Sequence, residues 1–510
     1  MAMVTNNGVR SSAALAALVL LLSACGGNNA TGGNSASPAP ASSGAASGTE
    51  GSAAGAAGNW TGTITMYAQS YTPNAKNIAG LKQQTALQDV ADEYEAAHPG
   101  IKIEFVDEEF KDYTQTVRVK AAAGELFDVF WGQWADLNNT FPKGIAEDLT
   151  PYFNQPNPYI PGKATWGEAM NATVVSETKS PDGKSYNING DYVATAFFYN
   201  KDLFAQAGIS APPGSWAELI ETTKKLKDAG ITAMSQAPDY DWFQRHFLSD
   251  FYAGEFEQIA GYDQSPGVSS LDQSVAIDKG LLNTSDERFM GWWPLFKQLT
   301  DNWKQDYLSS DPGVVGSNAR NDFLAGKTAI FYDGSWLPEN AKDANVNFEL
   351  GSFNFPVLTQ SDTPYTTGTD VSGAVGGPNA AFQFAVATKQ ADSTMKEEGK
   401  QAAVIDWLQF VGTPANVERI VNEHGTFVPT WPDTKPAESM TELANQASNE
   451  LKALGVGGSS PNMTKNMQRI FGLYLSGNID LAKATSEVQK ELDAAIKEYQ
   501  SKNSVDLGTY

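Results

Sequence analysis

Four stretches of the chain place aromatic side chains beside carboxylates, amides or a guanidinium. Tyr67, Gln69 and Tyr71 follow a short apolar run. Trp131, Gln133, Trp134 and Asp136 follow another. Asp239, Tyr240, Asp241 and Trp242 precede Arg245, and Asp333 and Trp336 bracket the turn at Gly334. Planar rings stack on the apolar face of a cyclic ligand, while Asp, Gln and Arg supply bidentate hydrogen bonds to neighbouring hydroxyls. The chemistry such side chains could do is noncovalent binding. Each stretch also has a packing reading: Trp131 reads equally as the last buried residue of its strand, and Tyr240 and Trp242 equally as core. Trp292, Trp293 and Trp303 sit at helical spacing and read as packing residues. Arg245 reads as an ion-pair partner in an acidic protein before it reads as a ligand for an acidic sugar.

Covalent chemistry has little support. With 59 Asp and Glu residues a carboxylate pair is assured somewhere, so a secreted glycoside hydrolase, which needs such a pair, stays only as a rival reading. His98, His246 and His424 are scattered without metal spacing, and no nucleophile-elbow, Walker or dinucleotide signature occurs. No catalytic residue, metal or cofactor is expected.

The elements that must hold these residues alternate between strand and helix. Thr63–Tyr67, Ile101–Phe105 and Asp128–Trp131 read as strands, with a helix carrying Leu87, Val90, Ala91 and Tyr94 stopped by His98-Pro99-Gly100. Ala196–Tyr199 and Ala329–Tyr332 are further buried strands. Ser215-Trp216-Ala217-Glu218 reads as a capping box, and Thr413-Pro414 as an N-cap with a first-turn proline. A last helix shows Leu481, Ala484, Val488, Leu492 and Ala495 in one stripe. Strand and helix in this order predict an α/β sheet covered on both faces.

The amino end carries a different message. Ala13–Leu22 is an uninterrupted apolar run preceded by one charged side chain, Arg10, and followed by Ser23-Ala24-Cys25. The run is the length of a signal-peptide core and too short for a spanning helix. Leu22-Ser23-Ala24-Cys25 resembles a bacterial lipobox, which makes 1–24 a signal peptide and Cys25, the one cysteine of the chain, a lipidated first residue. Residues 25–59 are almost wholly small and polar and read as a flexible tether. The chain's formal net charge is -24, and removing Arg10 with the signal peptide leaves about one more negative charge. An acidic surface of that size repels phosphate backbones, which argues against nucleic acid as a partner.

Three ordered stretches carry a resemblance. Phe198-Tyr199-Asn200-Lys201-Asp202-Leu203-Phe204 continues through Pro212-Pro213 into Ser215-Trp216-Ala217-Glu218-Leu219. Phe323-Leu324-Ala325-Gly326-Lys327-Thr328-Ala329-Ile330 is followed by Gly334-Ser335-Trp336. Phe127-Asp128-Val129-Phe130-Trp131 leads to Gly144 through Leu149, with Phe127 where proline is usual. Together they resemble the extracellular solute-binding proteins of bacterial ABC importers, in the group of maltodextrin- and other sugar-binding proteins. The resemblance implies a periplasmic-binding-protein-like α/β fold of two lobes, each a mixed sheet flanked by helices, with a hinge between them. It implies crossings near 195, 375 and 429, so that one lobe is 60–194 plus 376–428 and the other 195–375 plus 429–510. It also implies a carbohydrate, a di- or oligosaccharide, held between the lobes and passed to the permease transmembrane subunits by a monomer anchored to the membrane outside the cytoplasm. The candidate site, chosen by side-chain type at strand ends and near the second crossing, is Tyr67, Gln69, Trp131, Gln133, Trp134, Asp136, Tyr240, Asp241, Trp242, Asp333, Trp336, Asp370 and Ser372, and the resemblance puts Trp336 in the family's stacking position.

Overall fold

The computed structural model describes residues 58–77, 83–139, 141–262, 267–309, 318–448, 453–460 and 462–510. The expected signal peptide, Cys25 and nearly all of the tether lie outside the described residues.

Ten strands are described: β1 (Gly62–Met66), β2 (Ile101–Phe105), β3 (Val129–Trp131), β4 (Ile188–Asn189), β5 (Asp191–Tyr192), β6 (Thr195–Asn200), β7 (Ile330–Gly334), β8 (Leu350–Phe353), β9 (Gln383–Val386) and β10 (Val428–Pro429). They form two sheets and a short ribbon, in the orders β2-β1-β3-β9-β4, β7-β6-β8 and β10-β5. In the first sheet β1 runs parallel to β2 and β3, while β9 is antiparallel to β3 and β4. Ile64 and Met66 of β1 and Ile101 and Ile103 of β2 are buried. The helix Ala86–Ala97 lays Leu87, Val90, Ala91 and Tyr94 into the same core. This is the period-3.6 stripe meeting the period-2 face, and its match explains why these elements were legible.

In the second sheet β6 is antiparallel to both neighbours, and every residue of β6 and β7 is buried. Asn200 ends β6 and turns the chain into the helix Lys201–Gln206 by accepting from the Leu203 N–H at 3.0 Å. Ser215 Oγ accepts from the Glu218 N–H at 3.3 Å, while Glu218 itself takes the N–H of Gly214 rather than that of Ser215. Over this sheet pack the helices Tyr240–Phe251, Glu287–Thr300, Met463–Leu475 and Leu481–Asn503. Trp292 and Trp293 are fully buried and Trp303 nearly so. Among the described residues, no helix is long and apolar enough to cross a membrane.

The two sheets are joined where three stretches of chain meet. Tyr192 of β5 faces Val428 of β10, and Asp191 faces Pro429. Beside them Val193 and Gly377 exchange N–H···O bonds of 3.0 and 2.9 Å. Gly376 has φ +113°, and a Cβ there would stand 2.1 Å from the Val193 carbonyl oxygen, so glycine is required for the close approach. The Asp191 carboxylate is wholly buried at this junction, accepting from the Tyr71 hydroxyl at 2.6 Å and from the Phe382 N–H at 2.9 Å. A cluster of Val174, Tyr192, Ala194 and Phe198 with Val428, Met440 and Leu443 fills the space around it.

Candidate functional site: a cleft between the two sheets

A cleft of about 610 Å³ opens beyond the carboxyl end of β3. Trp134 and Asn138 enter it from the first sheet, and Asp241, Trp242 and Arg245 from the helix Tyr240–Phe251 over the second. The run Gly373–Pro378, which carries the Gly376 crossing, lines it between them. Crevices at strand ends are where open α/β sheets bind ligands, because helix and loop backbones diverge there.

Each wall is held by buried polar side chains. The Trp134 N–H donates to Gln383 Oε1 at 2.9 Å, and the Asn187 amide donates to the Gly132 carbonyl at 2.7 Å. Gln383 and Asn187 are both buried, so the turn carrying Trp134 is fixed from below. On the opposite wall Asp239 caps the helix by accepting from the Trp242 N–H at 3.1 Å. Phe243, Phe247 and Phe251 turn the other face of that helix into the core, which leaves Asp241, Trp242 and Arg245 toward the cleft. Arg245 Nε donates to Asp241 Oδ2 at 2.9 Å, one helical turn apart.

Of the thirteen residues expected from the sequence, Trp134, Asp241 and Trp242 come together along this cleft. Gln133 is at its edge, donating to the carbonyl of Asn379 at 3.1 Å. Asp136 lies in the short helix Trp134–Asn139, where its carbonyl accepts from the Phe141 N–H at 2.7 Å. Trp336 stands against Trp242, ring centroids 6.4 Å apart, and donates its indole N–H to Asp333 Oδ1 at 2.8 Å. Asp333 is itself fully buried in a two-point ion pair with Arg320, the shortest contact 2.7 Å. Its place is behind the tryptophan pair.

The others are placed elsewhere. Tyr67 and Trp131 join an aromatic cluster with Phe110, Tyr113 and Phe127, where burial pushes the Tyr67 hydroxyl up to about 12. Tyr240 is 1% exposed and packs against Trp292, Trp293 and Phe471. Gln69 is in the single turn Gln69–Tyr71, with its carbonyl accepting from Thr72 Oγ1 at 2.9 Å. Asp370 is exposed and accepts from the Ser372 N–H at 3.0 Å, while Ser372 is buried next to Gly373 of the cleft lining.

Sequence reasoning did not reach Glu177, Tyr192, Gln273, Asn379 or Tyr499, which also line the cleft. The signal for Asn379 was present in Gly376-Gly377-Pro378, a turn marker of the kind that exposes the next side chain. Gln273 gave none, because only the packing of the helix Ser270–Asp278 brings it to the cleft. Among the described residues, no three His, Cys, Asp or Glu side chains converge as a metal ion would need.

Buried titratable groups, at the junction and away from it, set a pH dependence. Burial pushes the carboxyl of Asp191 up to about 7, and those of Asp128, Asp239 and Asp333 up to about 6. The folded chain therefore holds these protons more tightly than the unfolded chain. Their contribution is full below the ordinary carboxyl value of 3.8 and is lost as pH climbs toward 7. His246, pushed down to about 3 by burial, opposes this below 6.5, as one group against four. The thermal midpoint is expected to be higher at pH 5.5 than at pH 8 by scanning calorimetry, and equal midpoints would contradict the assignment.

With the geometry in place, comparison with known proteins is decisive at the family level. The family described as "Bacterial extracellular solute-binding protein" matches residues 79–418, two thirds of the chain. The chain belongs to that family. This solute-binding protein is 30% identical over 282 residues to a binding protein of Brucella abortus, covering 53% of the chain and 59% of the relative. It thus spans a little under two thirds of that relative's length. It is 20% identical to the "sn-glycerol-3-phosphate-binding periplasmic protein UgpB" of Agrobacterium fabrum, over 64% of the chain and 70% of the relative. Its fold matches the crystal structure of the "cyclic alpha-maltosyl-1,6-maltose binding protein from Arthrobacter globiformis" with a TM-score of 0.57 and 17% identity, covering 86% of this chain and 100% of the other. The two-lobed periplasmic-binding-protein architecture is therefore that of the solute-binding protein as well.

Proposed function

We propose that the protein is a lipid-anchored receptor that captures a carbohydrate, a di- or oligosaccharide, in the cleft between its lobes and delivers it to an ABC permease by hinge closure. The observation that carries the reading is the cleft itself: about 610 Å³, with Trp134 on one wall and Trp242 on the other. Its volume is that of a small-molecule site, and tryptophans on both walls suit the two faces of a sugar chain. The Arthrobacter protein's name records a maltose-derived ligand for a chain of the same fold. A ligand touching both walls would favour the closed form by its differential affinity, and no bond in it need break. The hinge falls at the β5–β10 ribbon and the Val193–Gly377 pair, which divides the body into lobes of 60–194 plus 376–428 and 195–375 plus 429–510. Cys25 supplies the anchor and holds a monomeric receptor outside the cytoplasm near the permease transmembrane subunits.

The test is a thermal-shift panel of mono-, di- and oligosaccharides with polyols on the body from residue 59 onward. A ligand at a hundred times its Kd is expected to add about 2.7 kcal/mol of stability, raising the midpoint by degrees. A shift with one sugar class, with that sugar recovered intact, supports the reading. A shift with none of them would remove carbohydrate as the ligand.

A further inference from the structure

The cleft's charges favour one class of ligand over another. Among the described residues that line it, Arg245 is the one cation, against the carboxylates of Asp241 and Glu177. Arg245 gives its Nε to Asp241, so the pair is internally neutral. Its side chain is 33% exposed, and among the described residues its two Nη groups have no hydrogen-bond partner. One oxygen of Asp241 is packed against the loop backbone: a Cβ on Gly457 would lie 2.6 Å from its Oδ1. Asp241 Oδ1 is buried there without a partner.

Resting on the reading of this cleft as the ligand site, we infer that Asp241 and Arg245 select an uncharged, hydroxylated ligand and that Asp241 is the residue that excludes phosphorylated ones. The guanidinium edge donates two parallel hydrogen bonds to neighbouring hydroxyl oxygens, which need no net charge. A phosphate dianion at the same place would meet one cation already neutralised by its neighbour. It would also meet the Asp241 carboxylate itself in a partly desolvated space, where like charges repel strongly. The Agrobacterium relative, named for glycerol phosphate, and the Arthrobacter protein, named for a maltose derivative, represent the two ligand classes. The charge pattern places this chain with the second.

The test titrates tryptophan fluorescence of the wild type, Asp241→Asn, Asp241→Glu and Arg245→Gln with glycerol 3-phosphate, inorganic phosphate, raffinose and maltotriose. Glycerol 3-phosphate is expected to bind Asp241→Asn at least tenfold more tightly than the wild type, and Asp241→Glu, which keeps the charge, no more tightly. Arg245→Gln is expected to weaken whichever saccharide binds by at least tenfold without any gain for phosphate. Asp241→Asn gaining nothing for phosphate, while its melting shows it folded, overturns the inference, as does a wild type preferring glycerol 3-phosphate to both saccharides. Should Asp241→Asn prove unfolded, Arg245→Gln decides alone: unchanged saccharide binding overturns the inference. A phosphate gain in Asp241→Asn when the wild type binds no saccharide upholds the exclusion by Asp241 and instead removes carbohydrate from the proposed function.

Discussion

Replacing Gly376 with alanine is expected to destabilise the body by roughly 3 kcal/mol or more and to weaken ligand binding with it. Two costs combine. The residue sits at φ +113°, which L side chains rarely adopt, and the new Cβ would stand 2.1 Å from the Val193 carbonyl oxygen. That oxygen cannot retreat without giving up its bond from the Gly377 N–H at 2.9 Å, which is half of the Val193–Gly377 pair joining the two sheets. Gly373 to Pro378 also line the cleft, so relief of the clash displaces the site's own backbone. Gly144→Ala is the control: its φ is +79° but nothing lies within 4 Å of the added Cβ, so only the dihedral cost of about 1–2 kcal/mol applies. Urea midpoints of both variants check this. Equal losses would mean that the close approach at the junction is not what glycine protects.

Arg320→Met is expected to cost about 3–5 kcal/mol, because it strands the fully buried carboxylate of Asp333 without its cation. Adding Asp333→Asn to it should recover part of the loss, since a neutral amide tolerates burial where an unpaired charge does not. The functional consequence runs through Trp336. Asp333 holds its indole N–H at 2.8 Å, and Trp336 in turn packs against Trp242 of the cleft wall. The single variant should therefore also change tryptophan emission in the folded state. Urea unfolding of the single and double variants measures the first effect, and a double variant no more stable than the single one would show that the stranded charge is not the cause.

Much of the fold was legible because local rules and packing agree. The stripe Leu87, Val90, Ala91 and Tyr94 could serve only a helix with one buried face, and that face is the one buried. Thr413 announced a helix start and does cap it, accepting from Asn416 at 3.4 Å. The ordered motifs from Phe127 to Trp336 were enough to identify the family.

The site was less legible, and the helix Tyr240–Phe251 shows why. Tyr240 and Trp242 are two positions apart and had equal claims from the sequence, yet they lie on different faces of one helix. The helix is turned by Phe243, Phe247 and Phe251 finding the core beneath, which puts Tyr240 against Trp292 and leaves Trp242 and Arg245 in the cleft. Asp333 was expected to face ligand, but Arg320, 13 residues before it in the chain, takes its carboxylate instead. By itself the sequence determined β1, β2, β3, β6 and β7 and the helices with a clear stripe or N-cap, since period and capping residue act within a few residues, while β4, β5, β8, β9 and β10 are too short to show a period. Which aromatic is a wall of the cleft and which is core was decided only by tertiary structure, because burial depends on what lies across the space from a side chain and not on what lies beside it in the chain.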